Sequence, residues 1–361
     1  MAENISSSIY LNTASCGIIS PKAMNAGFKL YEQLTHNSSQ AAEKWRDSDA
    51  QHIRNSIAHF LGAKERNIAM IPNFSFGINA VLHSLKGTEK ILLYRQDYPS
   101  LTDPFLINDF DITWLATADN FQIDLKEIDK LIKKNEIDIL AISHVQWLSG
   151  YKADLKKLCD ICKKHKVILI VDGTQSMGAL PIDLSKLSID IFISSNYKWM
   201  NSGFGTGILF MNDAFLEKYT PKIGGHNSHI FQNNQLSYKP SLRSYEPGHL
   251  NMFGLNILQA AITEKTAVGI ENIAEHNHKL TQFLIDGIRD VPITLIGPPD
   301  MENRSSIVFL KDENGLGTHL KENNIVVTPR DGNLRISMHY HNTQTEIQQL
   351  IDCLKSLGKK D

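Results

Sequence analysis

Two residues with reactive side chains, Asp172 and Lys198, follow predicted strands that are consecutive along the chain. Asp172 comes directly after the apolar, β-branched run 167–171, which is typical of a buried parallel strand. The run 189–193 leads to Ser195 and Lys198. Because parallel strands end at the same edge of a sheet, we expect the carboxylate and the amine to lie close together. Such an amine can form a covalent imine with an aldehyde, and a carboxylate can hold a proton on a ring nitrogen.

This pair of groups suits pyridoxal phosphate, which needs a lysine for its imine and an acid against its ring nitrogen. Gln175, three residues after Asp172, could hydrogen-bond the ring hydroxyl. The alternative is that Asp172 caps a turn and Lys198 is solvated, as most lysines are. The aromatic and glycine-rich setting of Lys198 does not suit a solvated face. The residues therefore predict pyridoxal phosphate as the cofactor, with Lys198 and Asp172 as the catalytic groups.

The pattern strand, Asp-x-x-Gln, strand, Ser-x-x-Lys resembles the class V aminotransferase family over nearly the whole chain. This family includes cysteine desulfurases, kynureninases and isopenicillin-N epimerase-like enzymes. Asp172, Gln175, Ser195 and Lys198 match its motif position by position. The resemblance implies the fold type I of pyridoxal phosphate enzymes, an α/β fold. Its mostly parallel central sheet has helices on both faces, and a smaller α+β domain lies at the C-terminus.

The resemblance also implies how the chain divides into domains. We expect residues 13–245 to form a large cofactor-binding domain. Residues 1–12 together with 246–361 would form the small domain. The alternation of predicted strands and helices up to about residue 211 independently favours a mostly parallel sheet.

A phosphate site is predicted where the strand 68–71 passes through a small-polar turn into a helix. Free backbone N–H groups at a helix start bind anions. Phe74 and Ser75 occupy the family's phosphate-turn positions, although Ser75 could simply cap the helix. The resemblance further implies that the Tyr197 hydroxyl reaches the phosphate.

Aromatic residues follow two other predicted strands. The resemblance implies that Tyr98 stacks on the pyridine ring, where a flat face gives dispersion and orientation. Trp147, after the strand 137–143, could face the substrate or could serve packing alone. The segment Gln146-Trp147 is more similar to the epimerase-like branch than to the desulfurases, which carry Asn there.

A substrate-binding arginine is expected in the C-terminal part. Arg335 lies inside a predicted strand, in Arg-x-Ser followed by Tyr-x-Asn-Thr. The resemblance implies that this arginine binds the substrate carboxylate, which a guanidinium matches in two bonds. The alternative is an ordinary structural ion pair. Arg330 could assist Arg335.

Composition restricts the function classes. The 361 residues include 42% hydrophobic and 21% charged residues, with a net charge of −2, which is typical of a globular enzyme. Nothing in this balance favours nucleic acid or an anionic membrane. The N-terminus lacks the pattern of a signal peptide, and no apolar run approaches the ~20 residues of a membrane span. We therefore expect a cytoplasmic protein whose partner is a small amino acid.

Three further motifs are expected to be structural. Cys159 and Cys162 form a C-x-x-C, but their spacing with Leu155 and Leu158 predicts one apolar stripe of a helix. The glycines between 203 and 207 run into a strand and not a helix, so a dinucleotide loop is excluded. The pairs His276/His278 and His339/His341 have no acidic or cysteine ligands at metal spacing, so no metal is expected. We expect these histidines at the surface or at loop edges.

The family resemblance indicates a homodimer with shared active sites. The segment Glu246-Pro247-Gly248-His249-Leu250-Asn251 is similar to the family's Glu-x-Gly-Thr-x-Asn, whose Thr reaches the phosphate of the partner subunit. His249 replaces that Thr. The stretch 222–241 is expected to be a loop at the mouth of the site.

The leading functional prediction is an aminotransferase acting on a small amino acid and a 2-oxo acid, with phosphoserine aminotransferase as one possibility. Lys198, freed by the substrate, would remove the α-proton. An epimerase or β-lyase of the same family is the alternative. Cysteine desulfurase is disfavoured because the stretch 325–333, before Arg335, contains no cysteine. A non-catalytic binding protein is disfavoured most, because Asp172, Gln175 and Lys198 are all intact.

Overall fold

The computed structural model describes residues 8–117, 121–298, 300–313 and 315–357. The predictions for residues 1–7, including their place in the small domain, lie outside this part of the chain. Within it, two β-sheets with their own helices form the main architecture. No helix in these ranges is both long and apolar enough to cross a membrane.

The strands, in chain order, are β1 (Ile9–Tyr10), β2 (Ile68–Ile71), β3 (Lys90–Tyr94), β4 (Asp111–Leu115), β5 (Ile139–Ser143), β6 (Ile168–Asp172), β7 (Ile191–Ser195), β8 (Gly207–Met211), β9 (His229–Gln232), β10 (Gln235–Tyr238), β11 (Leu295–Ile296), β12 (Ile307–Lys311), β13 (Ile325–Val326), β14 (Thr328–Arg330) and β15 (Asn333–Ser337). The helices are α1 (Pro21–Lys44), α2 (Ala50–Phe60), α3 (Phe74–Ser84), α4 (Pro99–Ile107), α5 (Leu125–Asn135), α6 (Leu155–His165), α7 (Asp213–Lys218), α8 (Met252–Val268), α9 (Ile270–Gly287), α10 (Leu316–Glu322) and α11 (Gln344–Leu357).

The central sheet has seven strands in the order β2-β8-β7-β6-β5-β3-β4. All neighbours are parallel except those of β8, which is antiparallel to both β2 and β7. Strands β5, β6 and β7 are buried along most of their length, as expected for a sheet covered on both faces. The direction in which successive strands are added reverses within the sheet, and in such sheets ligands bind at the carboxyl ends of the strands.

Two apolar clusters cover the two faces of this sheet. One contains residues of α2, α5, α6 and α8, and the other contains residues of α3 and α4. The expected fold, a mostly parallel sheet with helices on both faces, is therefore confirmed. Cys159 and Cys162 lie on the buried stripe of α6, as the spacing predicted. Burial raises the pKa of the Cys162 thiol to about 12, which leaves it unreactive.

A four-stranded antiparallel sheet in the order β11-β12-β15-β14 forms in the C-terminal part. Its apolar face packs with α9 and α11, through residues such as Leu280, Leu284 and Leu350. The N-terminal strand β1 joins this region by pairing in parallel with β13. The domain boundary predicted at residue 245 stays a prediction.

The segment 252–287 forms two helices, because Gly269 has φ +89° and ends α8. Two local expectations need correction. The stretch expected to be only a loop contains the hairpin β9–β10. The placement of His339 at the surface was wrong, because this side chain is fully buried. Its burial follows from the packing of α8 and α9 against it, because Lys265 and Asn277 contact its ring nitrogens.

Candidate active site

A cavity of about 360 Å³ opens at the carboxyl ends of β3, β5, β6 and β7. Its size is within the range of small-molecule sites. It is lined by Asn73, Phe74, Ser75, Tyr98, Ser100, Ser143, Trp147, Asp172, Thr174, Gln175, Ser195, Tyr197, Lys198, Phe204 and Gly205. Every residue predicted to bind the cofactor belongs to this set, and so does Trp147. The structure therefore brings together residues from five separate segments of the chain.

Asp172 ends β6, beside Ser143 of β5 in the sheet register. Its Oδ1 accepts the Thr174 N–H at 2.8 Å. Burial raises the pKa of this carboxyl to about 7, and the charge of Asp97 adds to the effect, while Thr174 and Lys198 oppose it. The carboxylate thus lacks a sufficient cationic partner. A protonated ring nitrogen would supply one and would keep Asp172 ionised.

Lys198 lies three residues after the end of β7, and only 6% of its surface is exposed. Its Nζ is 5.3 Å from the centre of the Tyr98 ring and 5.6 Å from that of Tyr197. Burial, together with the charge of Arg335, lowers the pKa of this amine to about 8, although the charge of Asp172 opposes this shift. A neutral amine is the form that attacks an aldehyde, so this environment favours imine formation.

This lowered pKa predicts how cofactor binding depends on pH. Below pH 8 the neutral fraction of Lys198 rises about tenfold for each pH unit, and above its pKa it levels off. We expect the rate at which apoprotein forms its imine with pyridoxal phosphate to reach a plateau between about pH 8 and 9. Stopped-flow absorbance at several pH values measures it. A rate that continues to rise to pH 10.5, as for an ordinary lysine, would contradict the assigned environment.

The start of α3 forms one end of the cavity. Asn73 caps this helix, because its Oδ1 accepts the Phe76 N–H at 2.8 Å, so Ser75 is not the cap. The Phe74 N–H donates to Ser195 Oγ at 2.9 Å, which ties the turn to β7. Ser75 lies in the first helical turn, is exposed and lines the cavity. The positive end of α3 could hold an anion such as a phosphate here.

Part of the cavity wall is aromatic. The rings of Tyr98 and Trp147 meet edge to face with centres 5.3 Å apart. Gln175 is held by two hydrogen bonds: its Oε1 accepts the Trp199 Nε1–H at 2.7 Å, and its Nε2 donates to the Ala14 carbonyl at 3.1 Å. The amide of Gln175 is thereby fixed in orientation. A ring placed between Asp172 and these aromatic residues would find both a flat surface and polar contacts.

Arg335 contacts the wall of the cavity and does not line it. Its Nη1 donates to the Trp147 carbonyl at 2.8 Å, and its Nη2 donates to Ser15 Oγ at 2.6 Å. Among the residues that the structure describes, its buried Nε has no partner and no carboxylate pairs with the guanidinium. Burial and the charge of Arg330 lower its pKa to about 10, so it remains a cation at neutral pH. The structural ion pair that the sequence left open is therefore absent from this part of the chain.

Sequence reasoning missed several polar residues around the site, among them Asp97, Ser143 and Thr174. Asp97 is buried and accepts the Ser143 N–H at 2.8 Å, and Ser143 Oγ also donates to it. Thr174 Oγ1 accepts the Ser195 N–H at 3.1 Å and so links β6 to β7. Each of them lies at or just beyond the carboxyl end of a central strand, and this position is the signal that could have revealed them.

The fold and the site define an enzyme of the pyridoxal phosphate type, and comparison with known proteins gives its family. The model of the family described as Aminotransferase class-V matches residues 9–350. The chain therefore belongs to this family, as the motif resemblance predicted, and the cofactor prediction is confirmed with it.

Several relatives are named for reactions at sulfur. A probable cysteine desulfurase of Pyrococcus abyssi is 24% identical over 96% of this chain and 93% of its own length. The apo structure of a cysteine desulfurase from Thermococcus onnurineus NA1 has a TM-score of 0.87 with 22% identity, covering 98% of this chain and 95% of its own. The cystine C–S lyase C-DES, solved with cysteine persulfide, has a TM-score of 0.88 with 21% identity, covering 97% and 98%.

The prediction of an aminotransferase was wrong, and so was the low rank given to cysteine desulfurase. Relatives that match nearly the whole chain are named cysteine desulfurases. The physical reason for the error is that the buried amine, the buried acid and the arginine serve every reaction that begins with α-proton removal. The discriminating features were a missing cysteine on one loop and the segment Gln146-Trp147, and such single positions were too narrow a basis.

Proposed function

We propose that this chain uses pyridoxal phosphate to cleave the carbon–sulfur bond of cysteine. The observation that carries this proposal is the match, over 96% of the chain, to a relative named a probable cysteine desulfurase. The names of the relatives support the reaction, and the geometry of the cavity supports the roles of the residues.

Lys198 and Asp172 take the central roles in this proposal. The bound cofactor supplies an aldehyde for the covalent link and a ring that withdraws electrons from the substrate. The amine of Lys198 would hold the cofactor and, once freed by the substrate, would accept the α-proton, for which a lowered pKa is needed. Asp172 would hold the proton on the ring nitrogen, and burial would make this interaction strong.

The remaining residues orient the cofactor and the substrate. These residues line the cavity, where Tyr98 would stack on the ring and Gln175 would contact its hydroxyl. Ser75, Ser195 and Tyr197 would hold the phosphate. We assign Trp147 to the substrate side, because its carbonyl accepts a hydrogen bond from the guanidinium that would bind the substrate carboxylate.

Arg335 is the proposed carboxylate-binding group. Its buried Nε is without a partner in the described ranges, and its Nη2 contacts only the hydroxyl of Ser15, which a carboxylate could replace. We expect Arg335→Lys to raise the KM for cysteine about 10- to 100-fold, because a charge-assisted double contact becomes a single one. Affinity for pyridoxal phosphate should change little. An equal loss of cofactor and substrate affinity would show that Arg335 only supports the fold.

The fate of the sulfur depends on whether a protein thiol is available. Of the four free cysteines, Cys159, Cys162 and Cys353 are buried in helices, whereas Cys16 is partly exposed beside the site. Its neighbour Ser15 contacts Arg335, and its other neighbour, Gly17, donates its N–H to the Tyr197 carbonyl at 2.8 Å. If a thiol takes the sulfur, a sulfur–sulfur bond forms, the carbon–sulfur bond breaks, and the substrate carbon gains a proton to give alanine.

The deciding experiment follows sulfur and carbon together. Holoprotein is incubated with L-cysteine, with and without dithiothreitol, and sulfide, persulfide, alanine and pyruvate are measured. We expect sulfur to be released. If the product alanine is no longer formed by the Cys16→Ala variant but is still formed by the matched Cys353→Ala variant, Cys16 is the sulfur acceptor. Formation of pyruvate and sulfide would mean that no protein thiol is needed. A 2-oxo acid that retains its sulfur, or no reaction at all, would refute carbon–sulfur cleavage.

We also propose that the chain forms a homodimer whose subunits share active sites. The aromatic ring of Phe204 lines the cavity, stacks on Tyr197 with centres 4.6 Å apart, and is 67% exposed. A large apolar side chain at the edge of a site is what a second subunit would cover. Light scattering on the holoprotein tests this, and a monomer at micromolar concentration would refute it.

Cytoplasmic location and the absence of a nucleic-acid partner stay predictions.

A further inference from the structure

A fully buried lysine, Lys265 of α8, lies behind the turn that carries Lys198. No carboxylate forms a salt bridge with it in the described part of the chain. Burying an ammonium group without a charged partner is costly, so a buried lysine needs specific hydrogen bonds. Lys265 Nζ donates to Asn201 Oδ1 at 2.8 Å and lies 3.1 Å from Nε2 of His339. It is also 4.2 Å from the centre of the Tyr340 ring.

Asn201 connects Lys265 to the reactive lysine. Its N–H donates to the Lys198 carbonyl at 3.1 Å and closes the turn 198–201. Asn201 has φ +57°, a left-handed conformation that Asn tolerates better than most residues. The hydrogen bond from Lys265 fixes the side chain of the residue that must hold this conformation. Lys265 therefore stabilises the turn from which the Lys198 side chain extends.

His339 holds the same turn from the other side. Its Nε2 is 2.9 Å from the Trp199 carbonyl, and its ring meets the Trp199 indole edge to face at 5.1 Å. The same indole donates its N–H to Gln175, which lines the cofactor cavity. A continuous set of contacts thus runs from Lys265 and His339 through Trp199 to Gln175.

The proton on His339 can be assigned from its partners. A nitrogen facing a carbonyl must donate, so Nε2 carries the proton, and Nδ1 accepts from the Asn277 amide at 3.2 Å. Lys265 Nζ faces the same Nε2–H and fits there only as a neutral amine that offers its lone pair. Burial lowers the pKa of Lys265 to about 7, in agreement with this assignment.

The charges around the pair also favour neutral groups. The carboxylate of Glu264 raises the pKa of Lys265, but it is itself hydrogen-bonded by Ser20 Oγ. Burial and the charge of Lys265, with smaller effects of His341 and His276, hold the pKa of His339 well below its usual range. A protonated Lys265 would direct a donor at the donor Nε2–H and would weaken the hydrogen bond to the Trp199 carbonyl.

We propose that Lys265 and His339 are positioning residues that hold the turn 198–201 and, through Trp199 and Gln175, orient the amine of Lys198 toward the cofactor. The two residues come from α8 and from the segment after β15, so the C-terminal part of the chain supports the site of the central sheet. This inference depends on Lys198 being the cofactor lysine and not on which reaction follows.

The test compares Lys265→Met with the matched control Lys279→Met, whose side chain is 71% exposed on α9. Both variants should bind one pyridoxal phosphate per chain. In Lys265→Met we expect the pH midpoint of the imine absorbance to shift by about half a unit or more and kcat to fall about tenfold, with a small change in KM. The control should match the wild type in cofactor stoichiometry, pH midpoint, kcat and KM.

Asn201→Gly provides a second variant. Glycine adopts the left-handed conformation freely, so this substitution removes the side-chain acceptor of Lys265 and leaves the turn possible. It should show the same shift of the pH midpoint as Lys265→Met. The double variant should show no larger shift than either single variant, since both substitutions remove the same hydrogen bond. In apoprotein, the same pair should be non-additive in the free energy of unfolding. His339→Gln keeps a donor for the Trp199 carbonyl and should retain most of the kcat. Unchanged pH midpoints in both single variants, or additive effects in the double variant, would overturn the proposal. If Lys265→Met does not fold, the result for Asn201→Gly decides.

Discussion

Replacing Lys198 with alanine is expected to lower turnover of cysteine by at least about a thousand-fold, because one side chain supplies both the covalent link and the general base. Holoprotein should be yellow and should lose its visible absorbance on treatment with borohydride, whereas the alanine variant should not bind the cofactor covalently. Mass spectrometry of the borohydride-reduced protein after proteolysis should find the cofactor on the peptide that contains residue 198.

The matched control for this experiment is Lys156→Ala. The side chain of Lys156 is 82% exposed on α6, and no function is proposed for it. It should keep wild-type colour and turnover. Turnover retained by Lys198→Ala, or a reduced cofactor attached to another lysine, would rule out the assignment. Lys265 is the informative alternative site of attachment, because burial lowers the pKa of this lysine to about 7 as well.

The second large effect is expected for Asp172→Asn. This substitution keeps the shape of the side chain but removes the charge that holds a proton on the ring nitrogen. We expect kcat to fall about 10²- to 10³-fold, the loss typical of a buried electrostatic contact to the reacting group. The imine should still form, since Lys198 is intact and the amide still accepts the Thr174 N–H. Steady-state kinetics together with absorbance of the holoprotein measure the two effects separately.

Asp160→Asn, on the exposed face of α6, is the control for Asp172→Asn, because it removes the same charge outside the cavity. An equal loss of activity in both variants would indicate a general effect of charge and not a contact with the cofactor. If Asp172→Asn instead prevents cofactor binding altogether, its role would be structural. Full activity in this variant would exclude any contact between residue 172 and a ring nitrogen.

The arrangement of Asp172 and Lys198 could be predicted because it depends on local sequence. Each lies at or just after an apolar strand, and strand periodicity with a parallel sheet places both at one edge. The predicted end of the second strand was two residues too early, since β7 extends to Ser195. The site prediction survived this error because the direction of the strand, and not its exact end, determines the edge.

The setting of Arg335 depended on contacts between distant segments. Its guanidinium contacts Trp147, 188 residues earlier, and Ser15, 320 residues earlier. Nothing in the local pattern of β15 specifies those partners. The burial of His339 is a similar case, because a histidine after a strand can equally be exposed until the packing of α8 and α9 against it is known.

The sequence by itself determined the family, the cofactor, and the lysine and acid at the edge of the central sheet. Those features follow from short patterns of apolar and reactive residues that dictate local structure and strand direction. Only the tertiary structure decided which residues support them: the guanidinium behind Trp147, Cys16 next to the glycine that contacts Tyr197, and Lys265 with His339 behind the turn of Lys198. The physical reason is that burial and hydrogen-bond partners arise when segments far apart in the chain pack together, and these partners set both the pKa values and the orientation of the reactive groups.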